Sequence, residues 1–240
     1  MPNLLVDIGN TAVKACTSEG MTLGRTYRYQ GEHPIEFILS LVERIRPDAV
    51  VLASAYRLSP ADRGSLQEKC PGIMILDSSN GEVLKKYGLP SYLSYDRAAS
   101  ILAAKYLFKG SGCTVVDFGT TLTVDFTDPE GNYLGGNVSL GLRTRFKALN
   151  RYSRSLPLVN TPNEIQKIGT DFDSSVAGGA VMGIMFEIEG YLSLYPGNMV
   201  AFTGGDAIYF AKRTKNSIFV VCNLVLMGLA LIIDENVKNI

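Results

Sequence analysis

Two short segments of the sequence combine a carboxylate, a glycine and hydroxyl side chains in the same order. Asp7-Ile-Gly-Asn-Thr11 and Asp117-Phe-Gly-Thr-Thr121 each begin at the end of an apolar run. A tight turn at either glycine can direct backbone N–H groups towards a phosphate, and the neighbouring hydroxyls add donors. A carboxylate beside phosphate oxygens can hold a metal ion or its waters. The alternative for either segment alone is an ordinary hairpin turn.

The two segments belong to a longer internal repeat. Leu5–Cys16 resembles Val115–Phe126, and each copy consists of an apolar strand, the Asp-x-Gly-x-Thr turn and a second strand. The copies are almost half the chain apart. The repeat therefore predicts two lobes of like topology, each opening with a strand, a turn and a second strand. We place the first lobe, with the first phosphate loop, at residues 1–95, and the second lobe, with the second loop, at residues 96–240.

Predicted strands and helices alternate along the rest of the chain and must position these turns. Hydrophobic periodicity and turn signals predict helices over residues 34–46, 60–69, 96–108, 140–150 and 174–195. They predict further strands over residues 26–30, 49–53, 73–76, 121–125, 133–135 and 199–203, followed by a terminal strand and helix. Hairpins mixed with strand-helix alternation indicate an α/β fold whose two lobes enclose a ligand cleft.

Composition excludes several classes of protein. A hydrophobic content of 46% with 19% charged residues is typical of a soluble globular chain. The 23 basic and 23 acidic residues give a formal net charge of zero, which does not favour binding to a nucleic acid. Four well-separated cysteines without a C-x-x-C pair predict a reducing, cytoplasmic setting. With His33 as the only histidine, paired-histidine metal sites are excluded.

Targeting and membrane signals are not expected either. The first residues, MPNLLVDIGN, lack the basic and long apolar regions of a signal peptide. The most apolar stretch, Ile218–Ile233, is interrupted by Asn223 and is shorter than the ~18 to 20 apolar residues of a membrane span.

Two common phosphotransferase patterns are missing from the sequence. It contains no G-x-x-x-x-G-K-[ST] loop, and Asp117-Phe-Gly119 lacks the other motifs of a protein kinase. The arrangement that remains is that of actin, hexokinase and sugar kinases, in which phosphate hairpins from two similar lobes hold ATP.

Three longer segments resemble the bacterial type III pantothenate kinases. They are Leu4-Leu-Val-Asp-Ile-Gly-Asn-Thr11, Tyr87-Gly-Leu-Pro-Ser-Tyr-Leu-Ser-Tyr-Asp-Arg97, and Val116-Asp-Phe-Gly-Thr-Thr-Leu-Thr-Val-Asp125 followed by Gly135-Gly136. Their order and spacing agree along nearly the whole chain. The resemblance implies two actin-like (ribonuclease H-like) lobes and the ATP-dependent phosphorylation of pantothenate to 4′-phosphopantothenate, the first step of coenzyme A synthesis. It also implies Mg²⁺, a monovalent cation (K⁺ or NH₄⁺) and a homodimer. The basic and apolar helices of the second lobe are the expected dimer interface.

The resemblance assigns a role to each matching residue. ATP is expected to contact Asp7, Ile8, Gly9, Asn10, Thr11, Ala12, Val13, Lys14 and Thr120. Pantothenate is expected to contact Tyr87, Ser94, Tyr95, Asp96, Arg97 and Thr170. Asp96 is the expected catalytic base, and Asp117 is the expected ligand of the monovalent cation. A base suits the reaction because a primary hydroxyl must lose its proton as it attacks the γ-phosphoryl group.

Three positions depart from the family pattern. Ser94-Tyr95 stands where a glycine and a small residue are common, Leu140 replaces a proline, and Phe172 replaces a threonine. These departures leave open an alternative, a catalytically weak paralogue that binds ATP or regulates transcription. The kinase interpretation is favoured because the sequence keeps Asp7, Asp96, Arg97, Asp117 and Thr120.

A basic stretch offers a further alternative. Residues 131–163 have no acid but include Arg143, Arg145, Lys147, Arg151 and Arg154, interleaved with aromatic residues. Such a stretch could be a nucleic-acid face. With a net charge of zero, a solvated or anion-lining amphipathic helix is the better interpretation, and neither nucleic acid nor a membrane is expected as a partner.

Overall fold

The computed structural model describes residues 2–237 and divides the chain into two units. Unit 1 contains the chain up to Leu107 together with the segment after Cys222, and unit 2 is Phe108–Cys222. The strands are β1 (Asn3–Ile8), β2 (Val13–Glu19), β3 (Thr22–Tyr29), β4 (Val50–Ser54), β5 (Ile73–Leu76), β6 (Cys113–Phe118), β7 (Thr121–Thr127), β8 (Tyr133–Leu140), β9 (Met199–Gly204) and β10 (Phe219–Val220). The helices are α1 (Pro34–Ile45), α2 (Pro60–Lys69), α3 (Tyr95–Leu107), α4 (Leu142–Tyr152), α5 (Phe172–Leu194), α6 (Ala207–Ala211) and α7 (Leu224–Val237).

The two sheets have the same topology. Unit 1 has the strand order β3-β2-β1-β4-β5, and unit 2 repeats it as β8-β7-β6-β9-β10. In each sheet the first three strands of the unit are antiparallel, and the next two are parallel to the first. The internal repeat of the sequence is therefore a repeat of structure.

The central strand of unit 1 is apolar on both faces because helices cover both. Leu4, Val6 and Ile8 pack with residues of α1 and α2. Since side chains alternate along a strand, Leu5 and Asp7 point to the opposite face. Helices α3 and α7 pack against β4 on that face, and α7 also contacts β1. A strand buried in this way needs a continuous apolar run, which is what Leu4-Leu5-Val6 supplies.

In unit 2 the core lies between the sheet and helices α4, α5 and α6. Val116 and Phe118 of β6 face this core together with Phe202 of β9. The start of α5 is set by Asp171, whose carboxylate accepts a hydrogen bond from the backbone N–H of Ser174, while the Ser174 hydroxyl accepts one from the Asp171 N–H. Alternation along β6 directs Asp117 away from the core.

The boundary between the units differs from the predicted boundary between residues 95 and 96. Helix α3 stays with unit 1, and helix α7, which follows unit 2 in the sequence, also belongs to unit 1. Sequence order makes α7 the counterpart of α3 in the repeat. Their extensive mutual contact explains the difference, because each helix buries its apolar side on the other.

The packing of α3 on α7 depends on one glycine. A Cβ atom placed on Gly228 would overlap the backbone of Ala99 and would lie only 2.6 Å from the Ala99 Cα atom. Backbone atoms at such a crossing cannot move without shifting a whole helix. Across residues 2–237, no helix is both long and apolar enough to span a membrane.

We predict that Gly228→Ala lowers the free energy of unfolding by about 2 kcal/mol, because the added methyl group overpacks the crossing. Urea denaturation measures the change. Gly190→Ala is the matched control, since Gly190 is exposed on α5 with open space around it. That control should be neutral or stabilising by up to ~1 kcal/mol. Equal stability of the two variants would contradict the close-packed crossing.

Candidate active site

The first Asp-x-Gly-x-Thr segment forms the tight hairpin between β1 and β2. Asp7 pairs with Lys14 and Ile8 with Val13, and the N–H of Gly9 donates to the carbonyl oxygen of Ala12 at 3.0 Å. Asn10 and Thr11 at the tip are exposed. The hairpin thus presents the backbone and hydroxyl donors that a phosphate requires.

Asp7 lies at the base of this hairpin and is almost fully buried. Its side chain points to the sheet face that carries α3, the helix whose first turn contains Asp96. The structure therefore places the Asp7 side chain, at the base of the predicted phosphate hairpin, and the helix that carries the predicted base on the same face of one sheet.

The second segment forms the corresponding hairpin between β6 and β7. Asp117 pairs with Thr123, and the N–H of Gly119 donates to the carbonyl oxygen of Thr121 at 3.0 Å. The Thr120 carbonyl oxygen accepts from the N–H of Gly141 at 3.1 Å and from the Thr144 hydroxyl at 2.6 Å. The start of α4 thereby holds the exposed Thr120 in place.

Gly141 allows this contact because it has no side chain. A Cβ atom there would overlap the carbonyl oxygen of Gly119 and would lie 2.9 Å from that of Thr120. In the sequence, Leu140-Gly141 is only a departure from the proline-glycine pair of the family pattern. The structure shows that the glycine of this pair sets the position of the second hairpin.

Asp117 lies at the carboxyl end of β6, where the neighbouring strand β9 ends at Gly204. The backbone of Gly204 has a φ of +91°, and a Cβ atom on it would overlap the Asp117 carboxylate and lie 2.6 Å from the Phe118 nitrogen. Glycine is required here both for the left-handed conformation and for the space. Polar groups at the carboxyl ends of parallel strands are the usual location of ligand sites in α/β sheets.

A second carboxylate, Asp206, follows Gly204 and was not among the predicted site residues. Its backbone N–H donates to the carbonyl oxygen of Phe118 at 3.2 Å. Burial raises the pKa of Asp206 above its usual value, while the charge of Arg143 acts in the opposite direction. In the sequence, Thr203-Gly-Gly-Asp206 is open to two interpretations: a backbone that a nucleotide could approach closely, or a glycine turn with Asp206 as the N-cap of the next helix. Asp206 is the N-cap of α6, although its side chain makes no capping hydrogen bond.

The residues around Asp117 are suited to a hard cation. Asp117 lies opposite Thr123 of β7 and Thr203 of β9 in the sheet, so the side chains beside it on this face carry hydroxyl oxygens. Oxygen ligands are those that such ions prefer. Within residues 2–237 no three histidine, cysteine or acidic side chains form a metal-binding cluster. A cation at this edge would therefore use Asp117 together with oxygens of the backbone, hydroxyls or substrate.

The segment from Tyr87 to Arg97 leads from a 3-10 helix (Gly81–Tyr87) into α3. Gly88 ends the 3-10 helix in the left-handed conformation, and the Ser94 carbonyl oxygen accepts from the N–H of Ala98 at 3.0 Å. Asp96 and Arg97 are half-buried in the first turn of α3. A carboxylate is favoured there because the free N–H groups of a helix start carry partial positive charge.

Tyr95 differs from the expectation that its side chain contacts substrate. Only 1% of the residue is exposed, and its hydroxyl donates to the carbonyl oxygen of Asn80 at 2.7 Å. Burial, with smaller contributions from Asp77 and Tyr87, raises the pKa of Tyr95 to about 12. The side chain is therefore a neutral, inward-facing anchor of α3. Its insertion into the core explains why a tyrosine is accommodated beside Asp96.

Asp77, which was not among the predicted site residues, is a carboxylate of unit 1 with several hydrogen-bond partners. It follows β5 and is fully buried. It accepts from the Leu58 N–H at 3.1 Å, from Arg63 at 2.6 Å and from the Ser79 N–H at 2.9 Å. Burial alone would raise the pKa of Asp77, but these hydrogen bonds and the Arg63 charge outweigh it and hold the pKa below its usual value. The Asp-Ser-Ser-Asn run after a strand is the signal that could have pointed to it.

Thr170 lies in unit 2, close to the start of α5. It belongs to the irregular segment before α5, where its N–H donates to the Ser174 hydroxyl at 3.0 Å and the residue is exposed. The structure thus gives Thr170 a place at a helix start, and its predicted contact with pantothenate stays a prediction.

The basic stretch is partly engaged within the protein. The Arg145 guanidinium pairs with Glu187 of α5 and also donates to the carbonyl oxygen of Leu140 at 2.8 Å. Arg151 lies over the ring of Tyr152 at 6.0 Å. Arg145 and Arg151 therefore take part in contacts within the protein, so part of the positive charge of this stretch serves the packing of α4.

Comparison with known proteins identifies the family. The model of the type III pantothenate kinase family matches residues 3–193. The type III pantothenate kinase of Phocaeicola vulgatus is 34% identical over 98% of this chain and 99% of its own length. That of Flavobacterium johnsoniae is 31% identical, again over 98% of this chain and 99% of its own length. The chain belongs to the type III pantothenate kinase family. The resemblance stated from the sequence is confirmed, and the chain is a kinase by family.

Solved structures agree on the fold. A Campylobacter jejuni protein assigned to the Baf family of transcriptional activators superposes with a TM-score of 0.67 at 21% identity, covering 98% of this chain and 99% of that one. The activator of 2-hydroxyisocaproyl-CoA dehydratase from Clostridium difficile gives 0.61 at 15% identity, covering 100% and 98%. A hexokinase from Thermus thermophilus gives 0.52 at 14%, covering 96% and 98%. The predicted actin-like, two-lobed α/β fold is confirmed.

We predict that Gly204→Ala lowers the kinase turnover number at least ~10-fold in a protein that still folds, because the new methyl group displaces the Asp117 carboxylate. Steady-state kinetics with circular dichroism measures both properties. Gly190→Ala, the same substitution on an exposed helix surface, is the control and should retain the wild-type rate. Wild-type turnover in Gly204→Ala would mean that the position of Asp117 is unimportant.

Proposed function

We propose that this chain transfers the γ-phosphoryl group of ATP to the primary hydroxyl of pantothenate, giving 4′-phosphopantothenate and ADP in the first step of coenzyme A synthesis. The observation that carries the proposal is the pair of Asp-x-Gly-x-Thr hairpins, which occupy matching positions in two sheets of identical topology. Family membership supplies the substrate.

For ATP we propose contacts from both hairpins. Residues Asp7 to Lys14 contribute the backbone N–H groups of the turn and the Thr11 hydroxyl, and Thr120 contributes a hydroxyl from the second hairpin. Support comes from the exposure of both tips and from the rigid hydrogen bonding at their bases. Preformed donors of this kind stabilise the charge that spreads over the phosphoryl oxygens during transfer.

For pantothenate we propose contacts with Tyr87, Ser94, Arg97 and Thr170, and we propose Asp96 as the catalytic base. Asp96 accepts the proton of the attacking hydroxyl as the new P–O bond forms and the bond to ADP breaks. Arg97, beside it, pairs with the substrate carboxylate. The half-buried helix start that holds Asp96 and Arg97 supports this assignment. Tyr95 takes part through its anchoring of that helix.

We further propose that Asp117 is a ligand of a monovalent cation, K⁺ or NH₄⁺, and that Mg²⁺ enters with ATP. A bound cation neutralises phosphate charge. Mg²⁺ bound in this way keeps waters and phosphate oxygens as ligands and needs only one or two carboxylates. The oxygen donors around the end of β6 support the position of the monovalent ion.

Two other expectations belong to the proposal. Large exposed apolar side chains on β8, α4 and α5, among them Val138, Tyr152 and Phe186, support a homodimer formed through unit 2. Sedimentation equilibrium measures the mass of the assembly directly.

The four cysteines are all free, which supports a reducing, cytoplasmic location.

The decisive experiment measures ADP release from Mg²⁺-ATP with and without pantothenate, in K⁺ and again in Na⁺. Turnover that requires both pantothenate and K⁺ is the expected result. A folded chain that binds ATP without pantothenate-dependent turnover would instead favour the weak paralogue that binds ATP or regulates transcription.

We predict that Asp96→Asn lowers kcat by at least ~10², because the amide cannot accept the hydroxyl proton. ATP affinity should be unchanged, as measured by calorimetry on the same preparation. An unchanged kcat would remove Asp96 from the role of base.

We predict that Asp117→Asn abolishes or flattens the dependence of the rate on K⁺, because the cation loses its charged ligand. The measurement is the initial rate across a K⁺ titration at constant ionic strength. If the variant responded to K⁺ like the wild type, the assignment of Asp117 would fail.

A further inference from the structure

We infer that Asp77 and Asn80 are positioning residues that set the orientation of Asp96 through the buried hydroxyl of Tyr95. The inference rests on the proposed role of Asp96 as the base. It concerns three residues whose hydrogen bonds connect the end of β5 to the first turn of α3.

The connection begins at Asp77. Its carboxylate accepts hydrogen bonds from three places: Leu58 in the loop after β4, Arg63 in helix α2, and Ser79 in the turn after β5. The turn after β5 and the segment of residues 58–63, 14 to 19 residues earlier in the chain, are thus fixed to one fully buried group. A substitution at Asp77 would release both.

Asn80 forms the middle of the connection. Its Oδ1 accepts from the Asp77 N–H at 3.0 Å, and its Nδ2 donates to the carbonyl oxygen of Ile75 at 2.7 Å. With both ends of the amide held, the residue has a single orientation. Its own carbonyl oxygen accepts the 2.7 Å hydrogen bond from Tyr95.

Tyr95 completes the connection because it is the residue before Asp96. Successive residues of an α-helix are about 100° apart around its axis, so a fixed Tyr95 determines the direction of Asp96. The ring is buried and its hydroxyl is anchored, which prevents α3 from turning about its axis at this end. The Asp96 carboxylate itself accepts from the Arg97 N–H at 2.9 Å, so its direction follows that of the first turn that Tyr95 anchors.

The loop that precedes α3 converges on the same point. The 3-10 helix begins at Gly81, directly after Asn80, and a Cβ atom on Gly81 would lie 2.5 Å from the carbonyl oxygen of Ser91. The loop before α3 is therefore packed against the residue that follows Asn80. Two independent contacts, one from the loop and one from Tyr95, hold the helix start to this turn.

The cost of the arrangement also favours a positioning role. A buried carboxylate loses hydration that its partners only partly return, so burying one is a weak source of stability. Asp77 is nevertheless fully buried at the end of β5, and its partners, which include the partly exposed Arg63, lie in loops and in helix α2. Proton transfer requires the base to be held within a fraction of an ångström of its working position. A carboxylate with several hydrogen bonds, such as Asp77, can fix the surrounding segments to that precision.

The test uses Tyr95→Phe, which removes one hydroxyl and keeps the buried ring. We expect kcat with saturating pantothenate to fall about 10-fold, since a displaced base lowers the rate of the chemical step. KM for ATP should stay within about twofold of the wild-type value, because the phosphate hairpins are untouched. General loosening of the protein would change both parameters.

Tyr133→Phe is the matched control. The Tyr133 hydroxyl also donates to a buried group, Asp125, at 2.9 Å, but Tyr133 begins β8 at the end opposite the Thr120 hairpin. The control should keep the wild-type kcat. A control that lost as much kcat as Tyr95→Phe would overturn the inference, because the loss would then follow from any missing buried hydroxyl.

A double-mutant cycle tests whether Asp77 acts through Tyr95. Asp77→Asn should lower kcat by a similar factor, and the double variant Asp77→Asn/Tyr95→Phe should lose no more than the larger single loss. Independent, multiplicative losses would overturn the connection. If Asp77→Asn is not recovered folded, Tyr95→Phe and its control decide the matter alone.

Asp96→Asn in the same assay separates this inference from the proposed function. If Asp96→Asn lowers kcat but Tyr95→Phe does not, the positioning role is wrong while the base stands. An unchanged kcat in Asp96→Asn would overturn the base and, with it, the inference.

Discussion

The parallel pairing at the centre of each sheet determines where the polar groups of this protein can lie. β1 pairs with β4 in unit 1, and β6 pairs with β9 in unit 2. Burial of these strands confines carboxylates, glycines and hydroxyls to the strand ends. Asp7, Asp77, Asp117 and Asp206 are all found at or just beyond the carboxyl end of a strand. The tight turns and helix starts then only have to orient groups that the sheets have already brought there.

Glycine makes several of these positions possible. The second hairpin approaches the start of α4 at Gly141, and Asp117 lies against the end of β9 at Gly204. Any side chain at either position would occupy the space of a backbone or carboxylate oxygen. The site of unit 2 therefore relies on missing side chains alone, whereas that of unit 1 combines the missing side chain of Gly81 with the inserted ring of Tyr95. The two copies of the repeat have reached rigid sites by different physical means.

The sequence was informative where a local pattern decides the structure. The two hairpins, helix α2 and strand β5 follow from apolar runs, a Ser-Pro helix start and glycine turns, and their predicted bounds are close to those observed. The partners of α7 could not be predicted, because its apolar side fits either sheet equally well in sequence terms. The inward direction of Tyr95 and the convergence on Asp77 also depend on long-range contacts, for which a single sequence gives no pairing information. The run Thr203-Gly-Gly-Asp206 indicates a turn, but the sequence does not show that this turn contacts the end of β6.

The return of α7 makes unit 2 an insertion within unit 1. During synthesis the α3 side chains that α7 covers, such as Ala99, are complete long before the ribosome has made residues 224–237. Unit 2 can close as soon as its own strands have emerged, but unit 1 must wait with an uncovered apolar helix until translation reaches the last helix of the described chain. The nascent first unit consequently exposes apolar surface, of the kind that promotes aggregation, for as long as unit 2 is being made. Premature termination anywhere in unit 2 would leave the first phosphate hairpin, although fully translated, in an unfinished unit.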